Sequence, residues 1–98
     1  MGARERATDR ASDLLERAIA AAATPEDARA LLADLCTPRE LEDLSQRLDV
    51  ALMLSQGASY MDVIHATGAS STTVSRVSKC LNGPAGGYRT VLGRLGLR

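Results

Sequence analysis

Ser70, Ser71, Thr72, Thr73 and Ser75 stand beside Arg76 and Lys79 in a stretch that contains no carboxylate. Short hydroxyls let a helix lie deep in a groove and donate to phosphates or base edges, while Arg and Lys reach guanine acceptors or the sugar-phosphate backbone. The chemistry these residue types suit is the grip on duplex DNA. Helical spacing sends Thr72, Ser75, Arg76 and Lys79 outward together, with Val74, Val77 and Leu81 on the opposite side. The helix start at Ser70–Thr73 adds free N–H groups and the positive end of the helix dipole, both favourable to phosphate. Ser70, Ser71, Thr72, Thr73, Ser75, Arg76 and Lys79 are therefore the candidate DNA-binding residues.

The wider charge pattern points the same way. All 12 acids lie at or before Asp62, together with seven Arg, whereas residues 63–98 carry Arg76, Lys79, Arg89, Arg94 and Arg98 and no acid. A neutral chain is thus split into halves of −5 and +5. A carboxylate close to DNA would add repulsion where cations must displace counterions, so an acid-free end suits a polyanion. Five solvated surface cations are the plainer explanation of the same split.

Other chemistry finds little support. His65 is the sole imidazole, and Cys36 and Cys80 are too far apart in sequence for a metal knuckle, so no metal site is expected. Both thiols read as reduced and partly buried. No paired carboxylates in an apolar setting, glycine-rich phosphate loop or nucleophile motif argues for an enzyme. The charged opening MGARERATDR and the lack of any run near 20 apolar residues predict a soluble, cytoplasmic protein with no membrane partner.

The elements that must hold these residues are helices. Hydrophobic residues make up 45% of the 98, yet Phe and Trp are absent and only Tyr60 and Tyr88 are aromatic, so Leu and Ala dominate and favour helix over strand. Apolar spacing at Ala11, Leu14, Leu15, Ala18, Ile19 and Ala22 marks a first helix. Thr24-Pro25 and Thr37-Pro38, each followed by an acid three residues beyond the threonine, open a second and a third. Ala28, Leu31, Leu32 and Leu35 line the second; Leu41, Leu44, Leu48, Ala51 and Leu52 are the expected buried positions of the third, which Gly57 ends. Ser59 opens a fourth helix through Val63, Ile64 and Ala66, closed by Gly68. Ser70 or Ser71 caps a fifth that reaches about Leu81, and Tyr88, Val91, Leu92 and Leu95 mark a sixth after the NGPAGG break. The expectation is one all-α domain over 1–98, with 8–57 as dimerisation helices, 59–82 as a helix-turn-helix and 87–95 as the C-terminal helix.

The run LLADLCTPRELEDLSQRLDVALMLSQGASYMDVIHATGASSTTVSRVSKCLN resembles the Trp repressor superfamily, most closely its small TrpR-related YerC/YecD type. LCTPRE, QRL, TGAS.TTVSRV, CLN and GYR carry the likeness, which covers about Leu31 to Leu95. The resemblance implies a six-helix Trp-repressor-like fold, an intertwined homodimer and a helix-turn-helix transcriptional regulator, by analogy a repressor. It also implies a candidate effector pocket at Thr37, Arg47 and Arg76, where the repressor holds its tryptophan corepressor between two arginines. Val77 stands where the repressor has glycine and Cys80 where it has serine, removing ring space and a hydroxyl, so L-tryptophan is not expected as a ligand. Apolar stripes on nearly every helix also exceed what a small aromatic-free monomer covers, which favours a dimer. The alternative from another class is a helical protein-protein interaction module whose basic C-terminal part docks on an acidic partner.

Overall fold

A computed structural model describes residues 13–97. These residues form helices without a strand, and no described helix is long and apolar enough to cross a membrane. The chain divides into two compact units, Met1–Pro38 and Arg39–Arg98. The predicted beginning of the first helix near residue 8, with Ala11 on its stripe, lies outside the described residues.

In the first unit, α1 is helical over residues 13–21 and α2 spans Pro25–Leu35. Thr24 caps α2 as its sequence predicts: Thr24 Oγ1 accepts the Asp27 N–H at 3.1 Å, and Pro25 occupies the first turn, where its missing N–H costs nothing. Leu14, Leu15 and Ile19 on α1, and Leu32 and Leu35 on α2, remain exposed, and α2 buries no residue. Their apolar stripes are present but uncovered within the chain.

The second unit holds α3 (Pro38–Ser55), α4 (Tyr60–Thr67), α5 (Ser71–Leu81) and α6 (Gly87–Arg94). Val50 and Ala51 of α3, Val63 of α4, Ala69 of the turn, Val74 and Val77 of α5 and Leu92 of α6 form its core. The expected stripe of α3 needs correction. Ala51 is buried, but Leu41 and Leu52 are only partly so, and Leu44 and Leu48 are 39% and 47% exposed. The largest fully buried side chain of α3 is Val50, about 160° around the helix from Leu48 at roughly 100° per residue. Thus α3 carries two apolar faces, of which its own chain covers one. On α4, Val63 is buried and Ile64 partly so, whereas Ala66 is exposed.

Side-chain hydrogen bonds tie the unit together. Gln46 Nε2 on α3 donates to the Thr67 carbonyl at the end of α4 (3.2 Å), and Gln56 Nε2 donates to the Leu97 carbonyl (2.8 Å). Arg89 of α6 donates to the Leu81 carbonyl at the end of α5. The Thr67 and Leu81 carbonyls end their helices, where no partner is available within the helix, and Leu97 lies just beyond α6.

Candidate nucleic-acid interface

The helix pair α4–α5 is built by local signals that can be read one at a time. Ser59 Oγ accepts the Asp62 N–H at 3.1 Å and starts α4. Gly68 ends it with φ +72°, a left-handed conformation that an L side chain adopts only at a cost, and its N–H donates to the Ile64 carbonyl. Thr67 Oγ1 donates to the Val63 carbonyl and accepts the Ala69 N–H, which fixes the turn. Ala69 then enters the core, 3% exposed. Only Gly68, Ala69 and Ser70 separate the two helices, so the turn sets their angle.

Of the two serines considered for the α5 cap, it is Ser70. Its Oγ accepts the Thr73 N–H at 3.1 Å and lies 3.1 Å from Thr73 Oγ1, so these two hydroxyls are largely engaged with each other. With the Val74 N–H donated to the Ser70 carbonyl, the Ser71 and Thr72 N–H groups are left at the open end of α5. The core side of α5 consists of Val74, Val77 and Leu81, all buried. Opposite them Thr72, Arg76 and Lys79 are exposed, as is Ser71, while Thr73 and Ser75 are half-buried at the margins. Around the helix Thr72, Ser75, Arg76 and Lys79 fall within about 100° of arc. Arg76 and Lys79 have no ion-pair partner among the described residues, where the two ion pairs are Arg17–Asp13 and Arg39–Asp43. The result is an exposed cationic strip with no acid on its helix.

Arg47 and Arg76 from the candidate effector set come together. They line a cavity of about 160 Å³ with Thr73, Val77, Cys80 and Tyr88. Thr37 belongs to the other compact unit, directly before Pro38. Organic ligand pockets usually occupy roughly 300–1,000 Å³, so this cavity lies below the usual range, with Val77 and Tyr88 in its lining. Tyr88 carries no site signal in the sequence, where its spacing marks only a helix, and the fold is needed to bring it into one cavity with two arginines 12 and 41 positions earlier. His65 is exposed at the last turn of α4, Cys80 is exposed and Cys36 half-buried. The expectation of partial burial therefore fails for Cys80, because it lies toward the outer side of α5. Among the described residues no group of three or more His, Cys, Asp or Glu could hold a metal ion.

Comparisons with known proteins fit this geometry. The family model described as Trp repressor protein matches residues 11–96. YerC of Bacillus subtilis (strain 168) is 47% identical over 62 residues, which cover 63% of this chain and 60% of that relative's length. Two crystal structures are similar. A TrpR-like protein from Eubacterium eligens ATCC 27750 has 40% identity and a TM-score of 0.82, over 90% of this chain and 91% of its own. A Trp repressor candidate from Staphylococcus aureus has 35% identity and a TM-score of 0.85, over 100% and 98%. With all six helices described above inside the matched region, the chain belongs to the Trp repressor protein family, as a TrpR-like member of the YerC type.

Proposed function

We propose that this chain is a sequence-specific DNA-binding transcriptional regulator, acting as a cytoplasmic homodimer and most simply as a repressor. The observation that carries the reading is the exposed, acid-free strip of α5, formed by Ser71, Thr72, Arg76 and Lys79 over a buried Val74-Val77-Leu81 side. Arg76 reaches base edges or phosphates, Lys79 neutralises a phosphate, and the Ser71 and Thr72 N–H groups receive another at the helix start. Thr73 and Ser75 flank the contact, and Ser70 holds the first turn in place. No catalytic step is assigned to any residue.

Homodimer formation is supported by the apolar residues the single chain leaves uncovered. Leu14, Ile19, Leu35, Leu48 and Val91, spread over four helices, and Leu95 at the C-cap of the last are 47–65% exposed. A second copy offers matching apolar faces and buries both sets at once. Two α5 helices about 34 Å apart would then read successive major-groove segments of a palindromic site. L-tryptophan is left out of this reading because Val77 and Cys80 line the cavity at Arg47 and Arg76, where the Trp repressor pattern has glycine and serine.

Fluorescence anisotropy with duplexes selected from a random pool tests the reading. A folded dimer is expected to prefer the selected duplex over its scrambled version and to lose affinity steeply with salt. Salt-insensitive behaviour, or equal affinity for every duplex, would contradict sequence-specific regulation. Capture of an acidic protein without duplex binding would favour the interaction-module alternative.

A further inference from the structure

A second cavity lies on the other flank of α5, away from the Arg47–Arg76 pair. It measures about 470 Å³, and its lining includes Ser55 of α3, Tyr60 of α4, Ser78, Leu81 and Asn82 at the end of α5, and Arg89 of α6. We propose that it binds a small hydroxylated oxyanion, a phosphate monoester or a carboxylate of similar size. The volume falls within the range of roughly 300–1,000 Å³ that suits organic ligands, in contrast to the smaller cavity beside Arg76.

The lining argues for this class. Arg89 is its one charged side chain, with no carboxylate to neutralise it. One guanidinium nitrogen of Arg89 is held by the Leu81 carbonyl. Gly86 lets another approach: a Cβ built at Gly86 would come within 3.1 Å of Arg89 Nη2. The Leu81 bond thus orients the guanidinium, the missing Cβ of Gly86 leaves it room, and its remaining N–H groups are donors to spare, the planar fork that matches a phosphate or carboxylate. Around it are groups that suit hydroxyls. The amide nitrogen of Asn82 is committed to the Ser78 carbonyl, which leaves its oxygen as an acceptor. The Ser78 and Tyr60 hydroxyls make no side-chain hydrogen bond among those described, and Leu54, Ala58 and Leu81 supply an apolar floor.

The site is separate from the proposed DNA contact. Ser78 lies about 160° around α5 from Arg76, and none of Thr72, Arg76 and Lys79 lines this cavity. A ligand here touches all four helices of the second unit while leaving the cationic strip uncovered.

The test is a titration of the full isotope-labelled chain with glycerol 1-phosphate at constant ionic strength, read by amide chemical shifts. Glycerol and inorganic phosphate run as controls. Saturable shifts confined to the neighbourhood of Ser55, Tyr60, Ser78, Asn82 and Arg89 are expected with the phosphate ester, and none with glycerol. Arg89→Gln is expected to weaken binding about tenfold or more. Because that change also removes the Leu81 bond, Ser78→Ala provides a second variant, with a several-fold loss at an unchanged melting temperature. A short duplex forms a further arm: shifts at these same amides that glycerol 1-phosphate displaces would make backbone phosphate the source of the anion, whereas duplex shifts confined to α5's outer strip leave the site to a free small molecule. Shifts that never saturate, that persist unchanged in Arg89→Gln, or that spread over every surface cation would overturn the proposal. Since the first titrations contain no DNA, their failure is distinct from a failure of the DNA-binding reading.

Discussion

Replacing Lys79 with alanine should change the salt dependence of DNA binding by an amount that the α5 strip allows to be worked out. Each protomer presents Arg76 and Lys79 on the outer side of α5, neither paired with an acid among the described residues. A dimer therefore brings at least four cations to the duplex. With about 0.9 counterions released per neutralised phosphate, log K should fall with log salt at a slope near −3.6, so affinity drops about 150-fold between roughly 50 and 200 mM salt. Lys79→Ala removes two of the four contacts, bringing the slope to about −1.8 and the same loss to about 12-fold. Lys79 is exposed, so the variant should keep its fold. Anisotropy titrations at four or more salt concentrations, on a selected and a scrambled duplex, measure both slopes. If the slope is unchanged in the variant, Lys79 does not meet a phosphate and the orientation assigned to α5 is wrong.

Other consequences follow from neighbouring residues. Ser70→Ala removes the oxygen that accepts the Thr73 N–H and should destabilise the chain by about 1 kcal/mol, seen as a lower urea midpoint with an unchanged m-value. Leu48→Asp places a charge on the uncovered face of α3, 47% exposed in the single chain, so sedimentation and circular dichroism should report loss of the dimer by dissociation or unfolding; an intact dimer would remove Leu48 from the interface, and a folded monomer would contradict an intertwined architecture. L-tryptophan should leave duplex affinity unchanged, because branched Val77 and the thiol of Cys80 line the cavity at Arg47 and Arg76; a tryptophan-dependent gain would show that the cavity accepts the ligand.

How much could be read from residues alone depended on the range of the interaction. The caps at Thr24, Ser59 and Ser70 involve an oxygen and an N–H three positions apart, and the left-handed Gly57 and Gly68 follow from glycine's lack of Cβ, so both kinds of signal are local. The division of α5 was legible because its 11 residues have only one apolar side. Helix α3 was not, since Leu44 and Leu48 and the pair Val50 and Ala51 are all apolar, and periodicity does not say which face its own chain covers. The leucines made the stronger pattern, yet the chain buries the valine. The Gln46–Thr67 hydrogen bond and the cavity shared by Tyr88 and Arg47 bring together residues 21 and 41 positions apart, beyond any local rule.

In the proposed complex the outer side of α5 lies against the duplex. Amide and side-chain shift mapping of the labelled protein on a selected duplex tests it most directly. Perturbations should centre on Ser71, Thr72, Ser75, Arg76 and Lys79, with Val74 and Val77 changing little. Perturbations that leave α5 untouched and gather on α1 or α2 would contradict it.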